Sequence, residues 1–353
     1  MLPEFILAGI FDRAMARLPD MISCMAARGE KMSLRNILLV SSLALAGSIL
    51  GGAACAQGAY PARPVQVIVA FQPGGSVDVM ARHLVTAMSA QLGQPFVVVN
   101  RDGATGSIGF GQLAAARPDG YTLGAGPTTP ISIAPHLMKD VRYGVDSFEY
   151  ICQSFENVFT VSVRPESPFR SMDQLIAAAR ANPGTLSYGH SGNGTVPHLS
   201  VSNLAYRLGL NIVSVAYRGE TAALPDVIAG RLDFGAPSVA VVVGQKLRVL
   251  AVFADRRHPT FPDAPTFSEL GMPSMPPGLN GLYAPKGTPP EILAVLERAC
   301  EQATQSESFR AGAQRLHQPV VFLNSAAFSE RAMTDYKYKG ELIKVLGIKA
   351  ESL

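Results

Sequence analysis

The chain has 353 residues, a net charge of +3, and 48% hydrophobic against 16% charged residues. This composition fits one large or two ordinary globular domains and gives no sign of disorder. The charge is too small and too dispersed for a nucleic-acid or anionic-membrane surface. With no Trp and 7% aromatics, an aromatic platform for sugars or bases is not expected.

Near the N-terminus, Arg35 precedes an apolar run from Ile37 to Leu50, followed by Ala54-Cys55-Ala56. Charged, apolar and small-residue regions in that order predict a secretory signal peptide over 32–56. Residues 1–31 read as an over-long start or an extended n-region. The run is rich in Gly, Ala and Ser and short for a membrane anchor. Lipid attachment at Cys55 ranks second, because Gly52 stands where a lipobox usually has Leu. The mature protein is expected to be exported and soluble. Cys152 and Cys300 remain in it; they could pair, but two buried free thiols are expected. No His/Cys cluster has metal-ligand spacing, and no cofactor is expected.

The chain then alternates short β-rich runs with helical ones. Val65, Val67, Ile68 and Val69 predict a strand covered on both faces. Pro73-Gly74-Gly75 breaks it; Ser76 is the expected N-cap of a helix to Leu92, with Asp78 in its first turn and Gly93 as the stop. Strands follow at 96–99 and 121–124, with a helix near 107–116 between them. A strand at 159–163, a helix from Ser171 and a strand at 185–188 lead to a second glycine loop, His190-Ser191-Gly192-Asn193-Gly194-Thr195. Thr195 is the expected N-cap of a helix over 196–208, with Pro197 tolerated in its first turn. Strands at 212–217, 232–235 and 247–253 alternate with helices at 222–229 and 238–244. Helices at 291–305, 307–316 and 326–346, with a strand at 320–323, close the chain. This alternation predicts mainly parallel sheets with helices on both faces. Two strand–glycine turn–helix corners, about 120 residues apart, each offer free backbone N–H groups that can seat an anion. Across a cleft they would make one site at the C-terminal ends of the strands.

Several motifs carry a resemblance: Tyr60-Pro61-x-Arg63-Pro64, Phe71-x-Pro73-Gly74-Gly75-x-x-Asp78-x-x-Ala81-Arg82, and Val98-Val99-Asn100-Arg101-x-Gly103-Ala104. Pro118-Asp119-Gly120-Tyr121-Thr122-Leu123, Gly192-x-Gly194-Thr195-x-x-His198-Leu199, Tyr217-Arg218-Gly219 and Pro262-Asp263-x-Pro265-Thr266-x-x-Glu269-x-Gly271 follow in order. In this series the chain resembles the Bug-type receptors, extracytoplasmic solute-binding components of tripartite tricarboxylate transporters. The resemblance implies a two-lobed α/β periplasmic binding protein fold (type II-like) with a hinge. Lobe one is then 58–160 plus 282–353, and lobe two 161–281. It also implies a periplasmic receptor, monomeric, that closes on a small carboxylate (an organic acid or amino acid) and docks membrane permease subunits.

Carried over residue by residue, Phe71, Gly74, Gly75 and Ser76 line the lobe-one side of the ligand, and Asp78 braces their loop or merely sits on a solvated helix end. Asn193, Gly194 and Thr195 supply lobe-two donors. His198 orients that loop or is a core histidine. Thr128, Thr129 and Tyr217 are wall candidates. The family commonly has Ser at position 190; His190 is expected to narrow the pocket or reach a distal ligand group. Two other functions are open. Gly189-His190-Ser191-Gly192-Asn193 approaches a hydrolase nucleophile elbow, but Asn193 stands where the final Gly belongs. A sensor lobe serving a signalling partner would share both fold and site.

Overall fold

The structure is a computed structural model that describes residues 60–348. The expected signal peptide over 32–56, Cys24 and Cys55 lie outside the described residues. The first half runs β1 (Val65–Val69), α1 (Ser76–Leu92), β2 (Phe96–Asn100), α2 (Ser107–Ala114) and β3 (Thr122–Pro127). Two short helices, α3 (Thr129–Ser132) and α4 (Ala134–Leu137), then precede β4 (Phe148–Asn157) and β5 (Phe159–Val163). Next come α5 (Met172–Ala181), β6 (Ser187–His190), α6 (Val196–Leu208), β7 (Val213–Ala216) and α7 (Leu224–Ile228). After β8 (Phe234–Gly235), α8 (Val239–Val242) and β9 (Arg248–Phe253), the chain ends with β10 (Gly278–Pro285), α9 (Pro290–Gln305), α10 (Glu307–Arg315), β11 (Val320–Leu323) and α11 (Ser325–Val345).

The strands form a six-stranded sheet, β11-β4-β10-β3-β1-β2, and a five-stranded sheet, β7-β6-β8-β5-β9. The helix-connected strands pair in parallel, β1 with β2 and β3, and β6 with β7 and β8. The remaining pairs are antiparallel: β10 with β3 and β4, β11 with β4, and β5 with β8 and β9. Both sheets are therefore mixed, which corrects the expectation of mainly parallel ones. The cause is the route of the chain. It passes from one sheet to the other through Val158 alone, between β4 and β5, and comes back at β10. Strands reached without a βαβ crossover are free to run the opposite way.

β1 is buried on both faces apart from the half-buried Gln66, as its β-branched Val65, Val67, Ile68 and Val69 predict. Val65, Val67 and Val69 join the core under α1, α9 and α10, while Ile68 faces a second core with Phe110, Tyr283 and Phe328. A third core fills the five-stranded half and takes in Leu342 and Ile343 at the end of α11. Thus α11 packs by Phe328 on the first half and by its C-terminal turn on the second. Cys152 on β4 and Cys300 on α9 are fully buried and joined in a disulfide with Cα atoms 6.6 Å apart. This corrects the free-thiol expectation: 148 residues of separation conceal the pairing, and the packing of α9 on β4 creates it.

Candidate functional site

The C-terminal ends of β1, β2 and β3 lead into three turns, at 71–75, 101–106 and 128. The ends of β6, β7 and β8 lead into turns at 191–195, 217–220 and 236–238. The two glycine corners belong to these sets and are built alike.

In the first, Gly74 has φ +81° and Gly75, extended at φ −71°, ψ 163°, is the N-cap of α1. Ser76 is thus the first helical residue, and the N-cap falls on Gly75, one position earlier than expected. The Gly74 N–H donates to Asp78 Oδ2 at 2.9 Å, and Arg82 Nε donates to the same oxygen at 2.9 Å. Asn100 Nδ2 donates to Asp78 Oδ1 at 2.8 Å and to the Phe71 carbonyl at 2.9 Å. Asp78 is only 2% exposed, so the solvated-helix-end reading fails and the bracing one holds. Burial opposes its charge, but the bonds from Arg82, Asn100 and Gly74 outweigh burial and keep the carboxyl below its ordinary range. Asp78 therefore shapes the loop without facing out of it. The N–H groups of Gly75, Ser76 and Val77 have no hydrogen-bond partner among the described residues.

In the second, Gly194 has φ +72° and Thr195, at φ −74°, ψ 161°, is the N-cap of α6. The Gly194 N–H donates to His198 Nδ1 at 3.0 Å. A glycine N–H again meets the side chain four residues on, at the third residue of the helix. Accepting at Nδ1 fixes His198 as the neutral ring carrying its proton on Nε2. Thr195 does not cap with its side chain; its hydroxyl donates to the Gly192 carbonyl at 2.7 Å and accepts from Ser191 Oγ at 3.3 Å. The N–H groups of Asn193 and Val196 have no partner among the described residues, and Pro197 has none to give.

Both histidines are interior. His198 stacks on His190 with ring centroids 4.5 Å apart. Burial holds the His198 pKa down to about 4. Burial, and then the neighbouring His198, bring His190 to about 4 as well. His190 is 2% exposed, with Nδ1 2.9 Å from the Gly192 carbonyl and Nε2 2.8 Å from Ser214 Oγ. Both ring nitrogens are engaged within the five-stranded half, and His190 supports the loop through the Gly192 carbonyl. The wall candidates are similarly occupied. Thr128 is buried and its hydroxyl donates to Asp335 Oδ2 at 3.0 Å. The Tyr217 hydroxyl donates to Asp226. Thr129 is buried at the start of α3. Ser191 bonds to Thr195 rather than to a histidine, so no nucleophile–base pair forms there.

The halves meet at the second corner. Asn193 and Thr105 line a cavity of about 30 Å³ with Ile133, Leu137 and Met138. Gly194 sits at φ +72°, where an L side chain is strained, and a Cβ there would also push against Leu137 Cδ1. Phe71, Gly74, Gly75 and Ser76 do not line that cavity; Gly74 and Gly75 are exposed along the same edge of the six-stranded sheet.

Three contributors were missed by sequence reasoning. Asn100 and its partner Arg82 stand in the quoted motifs, yet nothing there showed that they clamp Asp78. Thr105 is held at φ +55° beside Ala104 at φ +46°, a left-handed pair between Gly103 and Gly106. A β-branched residue there is strained, and no sequence rule would have chosen it.

Residues 80–348 match the family model described as "Tripartite tricarboxylate transporter family receptor". Among solved structures, the periplasmic binding protein BugD is 30% identical with a TM-score of 0.73, covering 83% of this chain and 100% of that one. A protein of R. palustris, Rpa4515, solved with adipate, is 26% identical with a TM-score of 0.74, covering 83% and 100%. MatC of Rhodopseudomonas palustris, with bound malate, is 26% identical with a TM-score of 0.70, covering 80% and 100%.

Proposed function

Because the chain belongs to the tripartite tricarboxylate transporter receptor family, whose members are solute-binding proteins and not enzymes, we propose that it captures one small carboxylate between two lobes. One lobe comprises 58–160 plus 282–353 and the other 161–281. The observation that carries this reading is the matched pair of corners. In each, an interior side chain takes up the glycine N–H and fixes the turn, while N–H groups beside it have no partner among the described residues. Such groups at a helix N-terminus neutralise a carboxylate with backbone dipoles and need no Arg or Lys.

Ligand held by the first corner gains the donors of the second when the lobes close, and this difference in affinity shifts the population toward the closed form. The family works with membrane permeases; docking of the closed monomer onto permease subunits in the periplasm completes the reading. The neighbours' bound malate and adipate support a small organic acid as cargo. The ligand-binding set we propose is Phe71, Gly74, Gly75, Ser76, Asn193, Gly194 and Thr195, with Asp78 and His198 as braces.

Native mass spectrometry of protein purified without refolding, followed by a thermal-shift screen of mono-, di- and tricarboxylates and amino acids, tests the assignment. A true ligand at 100 times its Kd adds about 2.7 kcal/mol and raises the melting temperature. A screen in which no acid moves it would overturn the reading.

A further inference from the structure

The lobe-two edge carries one acid that no motif pointed to. Glu220 lies in the turn after β7, beside the Asn193–Thr195 corner. Its Oε2 accepts from the Ser238 N–H at 3.2 Å and from the Ser238 hydroxyl. Ser238 is fully buried, at the N-cap of α8. These bonds anchor the carboxyl by one oxygen, and Oε1 has no hydrogen-bond partner among the described residues. Gly189, His190 and Ser191 at the end of β6, with Glu220, Ala236 and Pro237 opposite, line a void of about 10 Å³, which is about the size of one water.

From this geometry we infer that Glu220 sets ligand selectivity: it favours carboxylates that bear a hydroxyl or ammonium donor close to the bound carboxylate. The inference rests on the receptor reading above. An anchored carboxyl with an unengaged oxygen, next to a corner that seats an anion, accepts from a donor and repels a second carboxylate. Burial raises the Glu220 pKa against the pull of the Ser238 bonds. Glu220 is half-buried, and an acceptor held in place by Ser238 discriminates against an analogue that lacks the matching donor.

The test compares L-malate, L-aspartate and succinate by isothermal titration on wild type and on Glu220→Gln. Glutamine keeps an oxygen for Ser238 and turns an amide donor toward the ligand. Wild type is expected to bind malate or aspartate about tenfold or more tighter than succinate, and the variant to lose that preference or reverse it. Equal affinities in wild type would overturn the inference, whether or not the variant folds. So would a folded variant with an unchanged ratio, while succinate still binds and the receptor reading stands. Failure of all three acids, and of the wider acid screen, to bind wild type would instead overturn the receptor reading and this inference with it.

Discussion

The stacked histidine pair makes the fold sensitive to acid in a defined window. His190 and His198 are both held near pKa 4, chiefly by burial, against about 6.5 in an unfolded chain. Between those values the unfolded chain binds more protons, so stability is full above pH 6.5 and falls as the pH drops toward 4. A gap of about 2.5 units corresponds to about 3 kcal/mol for each ring. Protonation of His198 at Nδ1 also removes the acceptor for the Gly194 N–H, so the second corner loosens with it. His198→Asn isolates the contribution, because an amide oxygen can still accept from Gly194 while the side chain cannot titrate. Urea unfolding at pH 7 and at pH 4 is the assay. Wild type is expected to lose about 2–3 kcal/mol more than His198→Asn over that interval. Equal losses would refute the argument that this ring is stored neutral in the fold.

Other consequences follow from burial and strain. Lys339 and Asp335 form a fully buried i,i+4 ion pair on α11, with Nζ 2.6 Å from Oδ2. Lys339→Met is expected to cost about 3–5 kcal/mol in urea unfolding, and Asp335→Leu with Lys339→Met to recover most of it; equal stabilities of wild type and the single variant would contradict this. Thr105→Gly removes a strained left-handed residue and is expected to raise stability by about 1 kcal/mol despite the added freedom of the unfolded chain; a lower melting temperature would show that Thr105 is not strained. The disulfide closes a loop of 148 residues, worth about 4–5 kcal/mol on chain-entropy grounds, so a reductant should lower the urea midpoint of wild type and leave a Cys152→Ala/Cys300→Ala variant unmoved.

Much of this architecture was readable because local signals agreed with the global fold. The β-branched residues at 65 and 67–69, the helix 196–208 and the glycine stop at Gly93 rest on backbone preferences that tertiary contacts reinforced. The two corners were found from their glycines. What escaped depended on contacts distant in sequence. The antiparallel β10 is placed by its neighbours β3 and β4, and the Cys152–Cys300 bond by the packing of a helix on a strand. Ser214 bonds His190 and Asp335 bonds Thr128, partners from elsewhere in the chain that no local pattern around either residue shows.

Ser76→Pro tests the account most directly. Position 76 opens α1 and Gly75 before it is extended, so proline fits the backbone there and removes the unpartnered N–H together with the Ser76 hydroxyl, whose share Ser76→Ala measures separately. In isothermal titration with whichever acid the screen identifies, the account predicts an unchanged melting temperature without ligand and an affinity lower by about tenfold or more, the worth of one charge-assisted hydrogen bond. A folded Ser76→Pro protein that binds the acid as tightly as wild type would contradict it.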